Sequence, residues 1–371
     1  MAVKDSTTRT VLAAAAVMVA VVSVAAAAVV LVNVDVSVKP SMDDATTSAF
    51  DEMPTFSEET ETIEAPAGPA LEPSWRIDAE TVYGRQFAAF RSPNASLTFD
   101  LGVTGVIDAG DVLVTAMGLP NPRSSSLDAV EFVALDADDG SVRWKASPGT
   151  VDVCASVPVQ GDIVCLDSYS DVQSLVTIGT NDGVVKRIPV PEDWYVYAIE
   201  SDGTSVLLLE GSPEDGESVL HGGSVNALDR MWTLPITTSM GWEGLSGTVI
   251  HTADGRGVVT MGGEATFFDP TTGAPVGGLD MTSDDTVVDS TGATVWELPD
   301  PFDTDKVIGN TRYSIDGPAY VATTDSGDVR WHWTIPAGSD GFTDSGTIAQ
   351  TRSGVFFLGT DSMVRLESVP S

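Results

Sequence analysis

The sequence predicts an all-β fold, a β-propeller of about seven four-stranded blades, and three observations predict it. Strand-like runs of four to eight residues alternate with Gly, Asp, Asn and Pro clusters across residues 75–371. One hairpin motif recurs through that region. Its turns fall in steps of 43, 46, 44 and 54 residues, near Gly140, Gly183, Asp229, Gly273 and Gly327. A four-stranded blade typically repeats every ~40–50 residues, so roughly six to eight blades fit the chain.

The clearest copy of the hairpin occupies residues 130–144 and reads VEFVALDADDGSVRW. Its first half alternates like a half-buried strand, Asp-Asp-Gly is a turn signal, and a second strand reaches Trp144. Weaker copies follow at residues 172–189, 223–235, 258–276, 320–336 and 355–366. The last copy has no tryptophan strand, whereas Trp75 begins an isolated one. We therefore expect the N-terminal strand to complete the C-terminal blade, which removes the free edges.

The region before the repeats predicts a membrane anchor. Residues 1–10 are polar, and the next 22 residues, from Val11 to Val32, carry no charge. A helix of that length spans about 33 Å, which matches the ~30 Å hydrocarbon core of a bilayer. A cleaved signal peptide is the alternative, although the apolar run is longer than the h-region of such a peptide.

Charges on either side of the apolar run predict its orientation. Residues 1–10 hold two basic residues and one acid, whereas ten acids and one lysine lie between residues 35 and 72. The positive-inside rule places the basic flank in the cytoplasm and the rest of the chain outside. The sequence therefore predicts a single-pass protein of the cell membrane with an extracytoplasmic propeller.

These patterns divide the chain into a cytoplasmic tail at 1–10, a transmembrane helix at 11–32, a linker at 33–74 and the propeller at 75–371. The linker is acidic and rich in Ser, Thr, Pro and Ala, with few large apolar residues. Because it cannot bury enough apolar surface to offset its ordering entropy, we expect the linker to be disordered.

The charge balance restricts the class of partner. The chain has 18 Lys plus Arg against 54 Asp plus Glu, a formal net charge of −36. Such a surface repels phosphate polyanions, which excludes nucleic acid and disfavours anionic lipid. It suits basic partners or cations, and it also serves solubility alone.

Cys154 and Cys165 are the two cysteines of the chain. Each lies in a strand-like run, and a Pro-containing turn separates the runs. A disulfide across this hairpin is expected if the Cα atoms come within about 4.4–6.8 Å. A redox or metal pair is the alternative, but the chain has no CxxC motif and no histidine close to either cysteine.

The motif ALDADDGSVRW resembles the pyrroloquinoline-quinone (PQQ) repeat of quinoprotein-like β-propellers. The matching positions are Ala134, Leu135, Asp136, Gly140 and Trp144. The same pattern is found, in whole or in part, at Gly183, Trp232, Gly273, Gly327 and Trp331. In this family the tryptophan docks between blades and the glycine makes the turn. The resemblance thus implies structural roles for these residues, not cofactor contacts.

The resemblance extends to membrane-anchored bacterial proteins with a PQQ-like propeller. It implies a non-catalytic binding or scaffold module of the cell envelope, with an envelope protein or glycan partner and no cofactor. A quinoprotein-type oxidoreductase or another propeller enzyme is the alternative. The PQQ dehydrogenases of the family hold PQQ with Ca²⁺ and use a catalytic Asp. This chain lacks their adjacent cysteine pair, and no position can be matched to that Asp.

The sequence also contains candidate residues for metal binding and ligand stacking. The acids of the 136–139 turn lack the ligand spacing of a Ca²⁺ loop and are expected to shape a β-turn. The three histidines, His221, His251 and His332, show no metal-binding spacing. Trp194, Tyr195 and Trp242 lie in linking segments, where ligand stacking competes with core packing as their role.

Overall fold

The computed structural model describes residues 68–97, 103–121, 123, 126–168, 170–211, 217–237, 248–282, 286–298, 306–308, 310–316, 319–324, 326–334 and 346–367. The predicted tail, transmembrane helix and most of the linker lie outside these residues. Within the described ranges, no helix has the length and apolar character needed to cross a membrane. The described residues belong to one compact unit, Ala65–Ser371.

The first elements of this unit are β1 (Trp75–Asp78) and a short helix, α1 (Ala79–Tyr83). Blade 1 contains β2 (Ala89–Arg91), β3 (Ile107–Asp108), β4 (Val112–Pro120), β5 (Leu127–Asp136) and β6 (Val142–Ala146). Blade 2 contains β7 (Val153–Cys154), β8 (Asp162–Asp167), β9 (Ser174–Gly179) and β10 (Val185–Pro189). Blade 3 contains β11 (Val196–Ser201), β12 (Val206–Gly211), β13 (Glu217–Gly223) and β14 (Trp232–Thr237), with a 3-10 helix (Leu228–Arg230) before β14.

Blade 4 contains β15 (Val249–Ala253), β16 (Arg256–Met261) and β17 (Glu264–Phe268). Blade 5 contains β18 (Leu279–Met281), β19 (Thr286–Asp289) and β20 (Thr294–Glu297). Blade 6 contains β21 (Lys306–Ile308), β22 (Thr311–Asp316), β23 (Ala319–Thr324) and β24 (Val329–Thr334). Blade 7 contains β25 (Gly346–Thr351), β26 (Gly354–Gly359) and β27 (Ser362–Glu367). The described residues thus form an all-β, propeller-like fold of seven antiparallel sheets.

The N-terminal strand closes the series of sheets. β1 pairs antiparallel with β27, from Trp75 opposite Arg365 to Asp78 opposite Ser362, and becomes the outer strand of blade 7. This is the closure expected from the sequence. It covers the edge of β27 that the C-terminal blade would otherwise expose.

Apolar clusters join six of the seven pairs of neighbouring sheets within the described residues. In β4, Leu113 and Met117 pack with residues of blade 7, while Val112 and Val114 pack with residues of blade 2. Successive residues of a strand point to opposite faces, so a sheet buried on both faces needs apolar residues at nearly every position. Further clusters join blades 2 and 3, 3 and 4, 4 and 5, and 6 and 7.

At three of these joints a tryptophan ring lies against a turn glycine of the next blade. A Cβ atom on Gly140 would lie 2.8 Å from the ring of Trp75, and one on Gly183 would lie 2.8 Å from the ring of Trp144. The indole nitrogens donate to Ala137 O at 3.2 Å and to Thr180 O at 2.7 Å. Each acceptor is three residues before the turn glycine. Trp232 lies against Gly273 in the third such contact, where a Cβ would be 2.4 Å from the ring.

The direction of the tryptophan depends on a local shift of strand register. In blade 1 the pairing of β5 with β6 shifts between Ala134 and Leu135, and Ala134 lies opposite Trp144. Blade 2 pairs β9 with β10 in regular register, and Arg187 occupies the corresponding position four residues after Gly183. Because a one-residue difference in register reverses the face of a side chain, Arg187 points to the blade 1 side. There it donates to Pro148 O and Thr150 O, both at 2.8 Å.

The joint between blades 6 and 7 has no hairpin turn to receive Trp331, since β27 and β1 come from opposite ends of the chain. The indole nitrogen of Trp331 instead donates to Glu367 Oε2 at 3.1 Å. The hydroxyl of Tyr313 donates to the other carboxylate oxygen at 2.9 Å. One carboxylate at the end of β27 therefore takes the place of a turn carbonyl.

Blades 4 and 5 depart from the predicted four strands, because each has three within the described residues. The outer strand of blade 4 is reduced to a bridge between Phe268 and Pro275, and proline offers no N–H to extend a ladder. In blade 5, Trp296 follows Gly292 by four residues, which is the spacing of the repeat. Its ring packs toward blade 4, 6.4 Å from His251, and a Cβ on Gly327 of blade 6 would meet nothing within 4 Å.

The last residues of the predicted linker contact blade 6. Ala70 forms a parallel bridge with His332 on the outer strand β24. The N–H of Leu71 donates to His332 O at 2.7 Å, and the N–H of His332 donates to Pro69 O at 3.0 Å. The chain therefore pairs with the edge of blade 6 before it enters blade 7 as β1.

The ring-to-glycine contact predicts different costs for the same substitution at two glycines. Gly183 and Gly327 both have left-handed φ angles, +68° and +86°, so alanine at either costs about 1–2 kcal/mol. Gly183→Ala must also displace Trp144, which adds about 1–3 kcal/mol of overpacking. We expect Gly183→Ala to lower the free energy of unfolding in urea by more than Gly327→Ala does. Equal losses would show that the ring contact contributes nothing.

Candidate functional site

The residues of the repeat motif make structural contacts. Ala134 and Leu135 are fully buried. The carboxylate of Asp136 accepts from the N–H groups of Asp138 and Asp139 at 2.8 and 3.3 Å, and it pairs with Arg143. These contacts, the arginine first, lower the pKa of Asp136. In the ranges that the structure describes, no group of three or more His, Cys, Asp or Glu side chains could hold a metal ion.

The structure contains the predicted disulfide between Cys154 and Cys165, which lie opposite each other on β7 and β8. Their Cα atoms are 3.8 Å apart, closer than the expected range. The reason is the register: the N–H of Cys154 donates to Pro93 O instead of its partner strand. Such non-hydrogen-bonded pairs bring the two Cα atoms closest in an antiparallel ladder.

A buried polar network lies on the same side of blade 2 as the disulfide. Asp167 is fully buried, and its Oδ2 accepts from Arg187 at 2.5 Å and from the hydroxyl of Ser170 at 2.6 Å. Asp152 accepts from the hydroxyls of Ser96 and Ser168 at 2.6 and 2.9 Å. Burial raises the pKa of Asp152, and the charge of Asp167 adds to the rise. The bond from Ser96 joins a loop of blade 1 to this network, and the other bonds lie within blade 2.

Glu200 is a partly buried carboxylate at the interface of blades 2 and 3. Its Oε1 accepts from the N–H and the hydroxyl of Ser156 at 2.8 and 2.7 Å, and from the N–H of Ser201 at 2.8 Å. Burial raises the pKa of Glu200, and these hydrogen bonds oppose the rise. The residue thus joins blade 3 to the chain that follows β7 of blade 2.

The three histidines are separate. His332 is buried in β24 between two tryptophans that pack toward blade 7. His251 lies against Trp296, and burial lowers the pKa of His251. His221 is 5% exposed, and its Nε2 is 2.6 Å from Glu210 Oε2. The ring of His221 stacks on Trp194 with centroids 3.8 Å apart and an interplanar angle of 25°.

Trp194 belongs to a surface that we call the loop patch, formed by residues 171–173 and 192–195. The first loop connects β8 to β9 and the second connects β10 to β11. Pro189 pairs with Ser174, and Ser174 pairs with Asp167, so both loops leave blade 2 at the same end. That end is opposite the Gly183 turn and its tryptophan joint.

Gln173 fixes the two loops to each other. Its Nε2 donates to Val196 O at 2.9 Å, and its Oε1 accepts from the N–H of Val196 at 2.8 Å. The N–H of Val190 donates to Gln173 O at 3.0 Å, and the N–H of Gly211 donates to Tyr195 O at 3.1 Å. The backbone of the loop patch is therefore held by both blades.

The loop patch exposes apolar side chains within an acidic rim. Val172 is 51% exposed and Tyr195 is 47% exposed, while Trp194 is half-buried. The exposed acids are Asp171, Glu192 and Asp193. Neither loop contains a Lys or Arg. The arrangement can accept a ligand by apolar contact, aromatic stacking and attraction of positive charge.

Sequence reasoning identified part of this patch. Trp194 and Tyr195 were candidates for stacking, and the structure places both at the patch; Trp242 lies outside the described residues. Val172, Gln173 and Glu210 were missed. The sequence pattern places Val172 at the start of a hairpin copy, whereas β9 begins at Ser174. The signal that could have found the loop is the run Ser-Asp-Val-Gln, polar around a single apolar residue.

Comparisons with known proteins find similarity among solved structures alone. No family model matches the chain, and no curated protein matches it. Among solved structures, BamB from Moraxella catarrhalis is 15% identical, with 80% of this chain and 100% of that chain covered and a TM-score of 0.38. The β-propeller domain of the Trilobed protease from Pyrococcus furiosus, which has an open velcro topology, is 9% identical, with 76% and 92% covered and a TM-score of 0.41. These similarities carry no argument about function.

The raised pKa of Glu200 predicts a pH-dependent stability. Glu200 keeps its proton to higher pH in the folded protein than in the unfolded chain, where its pKa is near 4.5. The contribution of Glu200 to the free energy of unfolding therefore falls as pH rises from about 4.5 through the folded pKa. Glu200→Gln should lose this fall, as measured by urea unfolding at stepwise pH. Glu192→Gln, at an exposed acid, is the control and should behave as the parent. A parent and Glu200→Gln with the same pH profile would contradict the prediction.

The disulfide predicts a dependence on reductant. Closing a loop with a sequence separation of 11 residues stabilises a fold by roughly 3 kcal/mol. Adding a reductant should lower the free energy of unfolding of the parent by about that amount. The double variant Cys154→Ala/Cys165→Ala should be insensitive to the reductant. A parent that is equally insensitive, with its thiols titrated as free, would show that the bond contributes no stability.

Proposed function

We propose that this chain is a membrane-anchored, extracytoplasmic β-propeller that acts as a non-catalytic binding or scaffold module of the cell envelope. In this proposal the segment from Val11 to Val32 spans the membrane, the N-terminus is cytoplasmic, and the propeller binds an envelope protein or glycan without PQQ or Ca²⁺. The charge asymmetry around the apolar segment supports the orientation.

The loop patch is the observation that carries the binding part of this proposal. Large apolar side chains in contact with solvent are common singly, but adjacent ones on a fixed backbone mark interaction surfaces. Here Val172 and Tyr195 are exposed on two loops that Gln173 joins. Trp194 sits between them and a buried His221–Glu210 pair. The backbone of this surface is already ordered, so binding to it costs little conformational entropy.

A scaffold function also fits the use of the repeat residues. The tryptophans and aspartates that make the motif recognisable contact other blades or their own turns. Functional variation is then left to the loops that differ between blades, as in other folds that present loops on a rigid framework. The loop patch is one such pair of loops.

Site-specific photocrosslinking tests the binding function. A photoreactive amino acid at Tyr195, in the intact chain in its own membrane, should give a discrete adduct. The same group at Val184, which is 50% exposed at the opposite end of blade 2, is the matched control and should give none. Adducts of equal yield at both positions, or at neither, would overturn the assignment of the patch. Tight binding of PQQ with Ca²⁺ and dye-linked alcohol oxidation by the purified chain would favour the oxidoreductase alternative.

A further inference from the structure

We infer that the loop patch binds a basic polypeptide segment that carries an apolar or aromatic anchor residue. This inference rests on the proposed binding function and adds the chemistry of the partner. It follows from three properties of the patch: exposed apolar area, fixed backbone and uncompensated acidic charge.

The apolar part of the patch determines the anchor. Val172 and Tyr195 expose about half of their surface, and the Gln173 bridge keeps their loops together. Trp194 offers a ring edge or face beside them, because stacking on His221 fixes the orientation of its indole. Interfaces draw most of their affinity from a few such anchored contacts, with tyrosine and tryptophan prominent among them. A partner side chain of leucine or aromatic type fits this surface.

The charged part of the patch determines the sign of the partner's charge. Asp171, Glu192 and Asp193 are exposed, and within the described residues these carboxylates enter none of the ion pairs. Lys and Arg are absent from both loops. A lysine or arginine of a partner can therefore pair with the rim, and it can also lie over the face of Tyr195. The attraction is strengthened by the net charge of −36.

The same charges argue against other occupants. A second copy of this chain would bring a second acidic surface against the first, and like charges across an interface oppose association. Nucleic acid and anionic lipid headgroups are repelled for the same reason. A neutral glycan could stack on the aromatic residues, but it would make no use of three uncompensated carboxylates. A basic polypeptide is the occupant that uses both parts of the patch.

Fluorescence binding to labelled synthetic peptides tests this inference with the full chain in detergent micelles. The probe peptide carries a central Trp-Leu pair flanked by lysines and arginines. One comparison peptide has glutamates in place of the basic residues, another has serines in place of Trp-Leu, and a neutral oligosaccharide serves as the glycan probe. We expect the probe peptide to bind, with an affinity that falls as salt is raised, and each comparison ligand to bind at least about tenfold more weakly.

Variants locate the binding on the chain. Glu192→Lys/Asp193→Lys should weaken binding of the probe peptide about tenfold or more and remove most of its salt dependence. Tyr195→Ser should weaken binding by a similar factor and keep the salt dependence, because the rim is intact. The matched controls are Val184→Ser and Asp229→Lys, which change an exposed apolar residue and an exposed acid elsewhere. Both should bind as the parent does.

The outcomes separate this inference from the binding function on which it rests. If the acidic or neutral ligands bind as tightly as the probe peptide, or if the control variants lose as much affinity, the partner is not recognised by basic charge at this patch. If the probe peptide fails to bind or to compete with a Tyr195 crosslink that does form, the binding function stands and the partner class is wrong. If no crosslink forms either, both are wrong.

Discussion

The contact between an indole ring and a left-handed glycine of the next sheet is the interaction on which three joints of this fold depend. Blades 1, 2 and 3 each pack apolar residues on both faces, so each of them depends on a neighbour on either side. The ring of Trp144 against Gly183 sets the distance between two such neighbours, and the bond to Thr180 O sets their angle. Glycine is required because a Cβ would overlap the ring. One hairpin therefore carries both partners of the contact, a turn glycine for the preceding sheet and a tryptophan for the next, as Gly140 and Trp144 do.

The joints on either side of blade 7, where the two ends of the chain meet, use polar side chains as well as indole rings. β1 supplies the missing outer strand of blade 7, and Trp75 restores the ring contact at Gly140. Arg365, opposite Trp75, donates to Ala137 O and Asp138 O at 3.1 and 3.0 Å, so the closing strand and its neighbour hold the same turn. At the preceding joint Glu367 replaces the absent turn. A carboxylate thus accepts the Trp331 indole hydrogen bond, where backbone carbonyls accept those of Trp75 and Trp144.

The repeated motif made the fold predictable from the sequence. The positions at which the structure departs from the motif were not predictable. Gly140, Trp144 and Trp75 reveal the joint and the closure, because their spacing reflects strand pairing directly. The side to which Arg187 points could not be predicted from the sequence. It depends on whether the strand register shifts, and the residue types do not indicate that. Trp296 has the repeat spacing but packs toward blade 4. Of the loop patch, the sequence indicated Trp194 and Tyr195; Val172 and the Gln173 bridge depend on two loops meeting in space.

The pairing of the linker with blade 6 has a mechanical consequence. A pull applied to the N-terminal end of the chain reaches the bonds between residues 69–71 and His332 before it reaches β1. These few hydrogen bonds would have to break first. Only then would force separate β1 from β27 and the ring of Trp75 from Gly140. The short parallel bridge at Ala70 therefore lies between a load on the N-terminal end and the closing strand.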